Sequence, residues 1–134
     1  MTRDATATNR CRRFPPVTAS IAAARQWAVD CLRDSGNPLL RPRHLEITEL
    51  IVSELVTNAI RHGTGAPEIG LTWDGTLLRI SVSDHCDRLP ELRATPVAEP
   101  GGFGIRLIAQ LSHRWGVARH SPGKTVWAEL TVEA

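Results

Sequence analysis

The stretch from Ile47 to Gly63, ITELIVSELVTNAIRHG, carries the clearest periodic signal in the chain. Its apolar residues recur at spacings of one, three and four, which is typical of an amphipathic helix. These residues are Ile47, Leu50, Ile51, Leu55 and Ala59. The spacing predicts a helix over residues 43–62, which Gly63 ends, with Gly65 and Pro67 just beyond.

Three polar side chains on this helix are spaced four residues apart. Glu54, Asn58 and His62 therefore share one face, beside the apolar stripe. A carboxylate and an amide oxygen one turn apart can hold a hydrated Mg²⁺, or the carboxylate can activate a hydroxyl group. An exposed helix edge with polar residues explains the spacing equally simply, and at this point both interpretations stay open.

The flanking sequence predicts the other elements of the fold. Residues 10–16 form a short edge strand, because two prolines exclude a central position. A helix follows over 18–33, and alternating apolar residues on both sides of Asp74-Gly75 predict a hairpin. A third helix over 102–113 and strands over 115–120 and 125–132 complete the chain. This order predicts an α+β fold in which helices cover one face of a mixed or antiparallel sheet.

Length and composition limit the architecture further. A chain of 134 residues makes one domain, and 42% apolar with 22% charged residues excludes disordered, collagen-like and coiled-coil proteins. Four of the 16 basic residues and one of the 14 acidic residues fall in the first 16 positions, which leaves 12 and 13 elsewhere. We expect a flexible basic tail over residues 1–9 and a single domain over 10–134. The nearly neutral body argues against direct nucleic-acid binding.

Apolar runs and cysteines indicate the compartment. No apolar run approaches the ~18–20 residues that a membrane span requires, and no hydrophobic leader is visible at the start. The three cysteines are odd in number and widely spaced. These features predict a cytoplasmic protein with reduced thiols and no membrane partner.

Three more motifs carry candidate chemistry. Asp84 follows a predicted strand, where its carboxylate can accept a hydrogen bond from an exocyclic amine or simply shape a turn. Gly102 and Gly104 open the third helix, where a backbone can approach phosphate closely or form a flexible entry. The triplet Gly123-Lys124-Thr125 is not a P-loop, since Ala118 replaces the upstream glycine and a strand follows. A hairpin turn is its simpler interpretation.

The run Asp84-His85-Cys86-Asp87 also holds four side chains of metal-ligating type. They are adjacent in the sequence, and no second cluster lies at a zinc-like spacing. A metal centre built on this run is therefore not favoured.

Taken in this order, the motifs resemble the GHKL ATP-binding fold, which gyrase, a class of heat-shock chaperones, sensor histidine kinases and mismatch-repair ATPases share. More closely, the chain resembles small bacterial anti-sigma factors that are also serine protein kinases. The resemblance covers about Pro16 to Val132 and is most specific at Glu54, Asn58 and His62-Gly63. It implies a Bergerat-type α/β sandwich, with helices on one face of a mixed, mainly antiparallel sheet.

The resemblance also implies ATP and Mg²⁺ as cofactors and a role for each site residue. Asn58 would ligate Mg²⁺, Glu54 would act as the general base, and Asp84 would bind the adenine amine. The loop from about Leu89 to Gly101 would act as a lid. The implied cofactor-binding set is Asn58, His62, Asp84, Gly102, Gly104 and Thr125.

Two positions depart from the family pattern. The family usually has a glycine two residues after the adenine aspartate, and here that residue is Cys86. Many members have a threonine directly after the glycine of the last hairpin, and here that residue is Lys124. Thr125 is one residue further on, where a strand would point its side chain to the opposite face. Both departures bear on nucleotide affinity more than on the fold.

Three functions are compatible with this sequence. The favoured one is an ATP-dependent serine/threonine kinase that phosphorylates a small antagonist protein (an anti-anti-sigma protein) and sequesters a sigma factor. The alternative is a non-catalytic partner-binding module with a structural or vestigial ATP site. A weaker idea is a detached histidine-kinase catalytic domain that acts on another chain. The resembling family often forms homodimers, so a homodimer is a candidate assembly.

Overall fold

The computed structural model of the chain describes residues 8–62, 65–84, 104–120 and 123–132. Within these ranges lie five strands and three helices. The strands are β1 (Thr8–Arg13), β2 (Glu68–Trp73), β3 (Leu77–Asp84), β4 (Arg114–His120) and β5 (Gly123–Thr131), and the helices are α1 (Ala19–Asp34), α2 (Pro42–His62) and α3 (Gly104–Leu111). Every predicted element is present, with shifts of a few residues at its ends.

The five strands form one sheet in the order β1-β2-β3-β5-β4. Each neighbouring pair in the described ranges is antiparallel. Of the two predicted possibilities, a mixed or an antiparallel sheet, the described strands form the antiparallel one. The register places Ser83 opposite both Glu68 and Thr125, and Asp84 opposite Lys124. The end of β3 therefore meets the starts of β2 and β5 at one end of the sheet.

Strand β1 lies at the edge of the sheet, as the two prolines predict. It begins at Thr8, inside the segment 1–9 that composition indicates as a tail, because Thr8 and Asn9 pair with Trp73 and Thr72 of β2. Residues 1–7 lie outside the described ranges. The strand ends at Arg13, so the prolines follow the strand and leave its backbone N–H groups available for pairing.

The helices cover one face of the sheet. Helix α2 packs on α1, on β3 and on α3. On β3, burial alternates, so that Leu78, Ile80 and Val82 point into the core while Arg79 and Ser81 point away. The same alternation turns Asp84 toward the helix side, where it is buried.

The buried face of α2 differs from the predicted stripe mainly at Leu50, while Ile47 is partly buried against the core. Leu50 is 46% exposed and lies beside a shallow surface depression that Arg25, Glu46 and Ser53 also line. The buried residues are His44, Thr48, Ile51, Val52, Leu55, Val56 and Ala59. Because α2 contacts both α1 and the sheet, its buried face extends toward Val52 and Val56 and leaves Leu50 outside.

A cluster around Trp127 covers part of the other face of the sheet. The Arg79 guanidinium lies 4.1 Å from the centre of the Trp127 ring, and that of Arg114 lies 5.8 Å from it. Glu129 accepts a hydrogen bond from Arg114 Nε at 2.9 Å and lies 3.7 Å from Arg79 Nη1. A Cβ added at Gly116 would lie 2.7 Å from the indole ring, so only a glycine lets the ring rest on β4. Trp127 thus packs on the outer face, away from the core.

The start of α2 depends on a buried histidine. His44 is 3% exposed, and its Nδ1 accepts a hydrogen bond from the backbone N–H of Arg41 at 2.9 Å. Burial lowers the pKa of His44, and the charges of Arg43 and Arg41 lower it further. The folded chain therefore favours the neutral ring, whose Nδ1 lone pair the hydrogen bond needs.

This histidine predicts how stability depends on pH. A base whose pKa is lower in the folded state contributes stability above its unfolded pKa of about 6.5 and loses it as the pH falls through the folded pKa. We expect the melting temperature of the wild type to fall more steeply between about pH 7 and pH 5 than that of His44→Gln, because glutamine can accept the same bond without titrating. Thermal unfolding by circular dichroism across this range measures the difference. Equal slopes would contradict the prediction.

Candidate functional site

Helix α2 places three of the predicted site residues on one face. Glu54 and Asn58 are half-buried, and His62, the last residue of the helix, is exposed. Within the described part of the chain, no hydrogen bond or ion pair engages the Glu54 carboxylate or the Asn58 amide. Burial raises the pKa of Glu54. A half-buried carboxylate with a raised pKa holds a proton more strongly than an exposed one, which favours a role as a proton acceptor.

The donor set on this face fits Mg²⁺. Mg²⁺ prefers oxygen ligands and usually keeps several waters, so one or two protein oxygens are enough to hold it beside a substrate phosphate. The Asn58 amide oxygen and the Glu54 carboxylate are such oxygens, one turn apart. Over the described ranges, no group of three or more His, Cys, Asp or Glu side chains comes together.

Asp84 forms a buried ion pair with Lys124. Lys124 Nζ lies 3.1 Å from Asp84 Oδ2 and 3.4 Å from Oδ1, so the ammonium approaches both carboxylate oxygens. The side chain of Asp84 is 4% exposed and that of Lys124 is 5% exposed. Burying a charged group costs several kcal/mol, about 20 in the idealised limit, unless an opposite charge and hydrogen bonds compensate. Each member of this pair therefore compensates the burial of the other.

The pairing of Asp84 with Lys124 is what sequence reasoning missed. Both residues stood out in the sequence, but as separate features. The signal that joins them is the antiparallel register, which sets the last residue of β3 opposite the second residue of β5. Lys124 is also the only lysine in the sequence.

The chain after α2 leads to the end of the sheet that carries the ion pair. Helix α2 packs on β3, and its last residue, His62, is joined to Glu68 by five residues. Glu68 pairs with Ser83, the residue before Asp84. The fold thus brings the end of α2 toward the Asp84–Lys124 pair.

The glycine motif is described only in part. Gly104 is the first residue of α3, whose first turn carries no acidic residue that would repel an anion. Helix α3 packs against α2. Gly102, Cys86 and the predicted lid over residues 89–101 lie outside the described ranges.

Thr125 is not brought together with the other predicted site residues. It lies on the outer face of β5, opposite to the direction of Lys124 and Asp84, as strand alternation predicts. Its Oγ1 is 2.7 Å from Ser83 Oγ and 2.9 Å from His120 Nε2. Its place in the implied cofactor-binding set therefore has no support in the geometry.

No helix in the described part of the chain has the length and apolar character to cross a membrane. This finding concerns the three helices α1, α2 and α3 alone.

Comparison with known proteins agrees with this architecture. No curated protein matches the chain. Among solved structures, the crystal structure of the RsbU and RsbW domains of Rv1364c from Mycobacterium tuberculosis is similar, with a TM-score of 0.68 and 14% identity. The match covers 92% of this chain and 31% of that one, so this chain spans about a third of its length, and at this identity the likeness shows the fold alone. The family model of the histidine kinase-like ATPase domain matches residues 14–130, and the chain therefore belongs to that family.

Proposed function

We propose that this chain is a cytoplasmic, ATP- and Mg²⁺-dependent serine/threonine protein kinase that phosphorylates a small antagonist protein and sequesters a sigma factor. The observation that carries the proposal is the pair of oxygen donors on α2. Glu54 and Asn58 are half-buried, one turn apart, and without a hydrogen-bond partner in the described part of the chain. Membership of an ATPase-domain family supports nucleotide binding at this face.

Each residue of the proposed site has one task. Asn58 would hold Mg²⁺ through its amide oxygen, and bound Mg²⁺ would neutralise part of the phosphate charge. Glu54 accepts the proton of a serine hydroxyl on the partner. As that proton moves to Glu54, the serine oxygen forms a bond to the γ-phosphorus and the bond to the ADP oxygen breaks. The raised pKa of Glu54 favours this proton transfer.

The remaining site residues bind the nucleotide in this proposal. His62, Gly102 and Gly104 would bind the phosphates, with Gly104 at the N-terminus of α3. Asp84 faces the base, already paired with Lys124. The proposed partners follow from the resemblance to anti-sigma factors and not from a contact in the structure.

A non-catalytic, partner-binding module is the second candidate, and one observation favours it. Lys124 already engages both oxygens of the Asp84 carboxylate, which is the group that would recognise the base. A vestigial site would bind its protein partner normally in Glu54→Ala and would transfer no phosphate in the wild type. Partner binding and phosphotransfer measured side by side distinguish the two candidates.

The test of the metal–nucleotide site is Asn58→Ala. We expect calorimetric titration with ATP to show affinity that depends on Mg²⁺ in the wild type and falls at least about tenfold in the variant, since metal-site mutations commonly cost 10–100-fold. Titrations without Mg²⁺ should differ little between the two proteins. Glu49→Ala, an exposed position on another side of α2, is the matched control. Unchanged affinity in a folded Asn58→Ala protein would contradict the proposed site.

A further inference from the structure

We propose that the surface of α2 around Leu50 docks the serine-bearing segment of the substrate protein and selects a serine with an apolar side chain close to it. The proposal rests on the proposed function, because it requires that Glu54 accept the proton of that serine. It adds the surface that binds the substrate and the sequence that this surface favours. The observation behind it is an exposed leucine one turn before Glu54, in a surface depression.

The depression lies between α1 and α2, and Leu50 forms its apolar part. Leu50 is 46% exposed, and among the described residues Val17 is the other large apolar residue that is exposed to this degree. A single exposed leucine needs no explanation by itself. Here, however, Leu50 and Ser53 line the depression together, and Arg25 of α1 donates a hydrogen bond to Ser53 Oγ at 3.4 Å across it.

The depression borders the proposed general base. Leu50 lies four residues before Glu54, and Ser53 lies directly before it. Residues four apart on a helix are surface neighbours, with about 5–6 Å between their Cβ atoms. Helical side chains also lean toward the N-terminus, so the Glu54 side chain is expected to lean toward the turn that carries Leu50. A substrate serine that meets Glu54 therefore brings the residues next to it over Leu50.

The spacing on α2 indicates which residue of the substrate meets Leu50. In an extended segment, side chains two residues apart point to the same side and lie about 7 Å from each other. This distance is close to the separation of Leu50 and Glu54 along the helix surface. An apolar side chain two residues from the serine would bury Leu50, whereas a charged one would lose water without gaining a partner.

The charge beyond Leu50 sets a second preference. Glu46 lies four residues before Leu50 and also lines the depression. Over the described ranges, no hydrogen bond or ion pair engages its carboxylate. A lysine or arginine of the substrate, further from the serine than the apolar residue, would complement this charge. The occupant is therefore a segment that carries a serine, an apolar residue and a basic residue, in this order away from Glu54.

The first experiment is a peptide array with the wild-type full chain, Mg²⁺ and labelled ATP. The probes are peptides with a fixed central serine, in which one flanking position is varied at a time. We expect leucine two residues from the serine, on one side, to be favoured at least about tenfold over aspartate. Further along that side, lysine or arginine should be favoured over glutamate. Peptides that are phosphorylated without an apolar preference at either position would overturn the proposal.

The second experiment reverses the preference by changing Leu50. We expect Leu50→Asp to favour lysine or arginine at the position where the wild type favours leucine, and Leu50→Lys to favour aspartate or glutamate, because opposite charges attract. Val17→Asp is the matched control, since Val17 is 51% exposed and precedes α1, and it should keep the wild-type pattern. An identical pattern in the wild type and both Leu50 variants would contradict the proposed docking surface.

Steady-state kinetics with the whole antagonist protein covers the case in which short peptides are not phosphorylated. Leu50→Asp should raise KM at least about tenfold and leave kcat within about threefold, because a docking contact acts on binding in the ground state and the transition state alike. Glu54→Gln should give the opposite result, a loss in kcat. A folded Leu50→Asp protein with the wild-type KM would overturn the proposal.

Failure of this inference and failure of the proposed function give different results. If the wild type transfers phosphate to neither the peptides nor the antagonist protein, the proposed function is wrong and the docking surface falls with it. If transfer occurs and depends on Glu54, but the Leu50 variants behave as the wild type, only the docking surface is wrong.

Discussion

Replacing Glu54 with glutamine is expected to lower phosphotransfer to the antagonist protein by about 10²–10⁴-fold, the usual contribution of a general base. Nucleotide affinity should change much less, because the amide keeps an oxygen in place of the carboxylate. The measurement is transfer of labelled γ-phosphate from ATP to serine, beside a nucleotide titration. Glu49→Gln, on the same helix but exposed, should keep wild-type activity. A Glu54→Gln protein that retains full phosphotransfer would exclude Glu54 as the base.

The pH profile provides an independent check of the same residue. A general base must be deprotonated to act, so the rate should fall as the pH falls through the pKa of Glu54. Burial raises that pKa above its ordinary value of 4.5, so the loss should begin at a higher pH than an exposed glutamate would give. In Glu54→Gln the residual rate should not show this titration. A wild-type profile without any acidic limb would count against the assignment.

Replacing Lys124 with methionine is expected to cost about 3–5 kcal/mol of the free energy of unfolding, because it removes the buried ammonium that lies 3.1 Å from the Asp84 carboxylate. The side chain of Asp84 is 4% exposed, so water reaches it poorly. Adding Asp84→Asn to Lys124→Met removes the buried negative charge as well and should recover most of the loss. Urea unfolding of the wild type and the two variants measures both effects.

Arg114→Met is the matched control for this prediction. Arg114 is 64% exposed, and Glu129 would still have Arg79 nearby after the change. The Glu129 carboxylate is buried but keeps the Arg79 guanidinium 3.7 Å away, so this variant should lose clearly less stability than Lys124→Met. A Lys124→Met protein that loses no more stability than Arg114→Met would show that the Asp84–Lys124 pair does not stabilise the fold.

The predictions from sequence were most accurate where neighbouring residues decide the structure. The 3.6-residue period of α2 and the alternation around Asp74-Gly75 are local patterns, and both elements formed as predicted. The spacing of Glu54, Asn58 and His62 by four residues placed them on one helix face in advance, because helix geometry alone requires it. Their chemical roles, by contrast, remain proposals.

The errors arose where contacts between segments distant in the sequence decide the burial of a residue or the start of a strand. Leu50 belongs to the apolar pattern but is exposed, because the burial of an α2 residue depends on how the helix sits between α1 and the sheet. The edge strand starts at Thr8 because β2 offers pairing partners there. The composition of a segment describes that segment alone. It cannot show that a partner strand some 60 residues away will pair with it.

The amino-acid sequence by itself determined the helices, the hairpins, the α+β class and the polar face of α2, because these depend on residues within one or two turns of each other. Only the tertiary structure decided that Asp84 and Lys124, 40 residues apart, form a buried ion pair, and that Thr125 points away from them. The physical reason is the antiparallel register of β3 and β5, which a one-residue slip would reverse for every side chain on the strand. That register is set by the packing of the whole sheet against the helices.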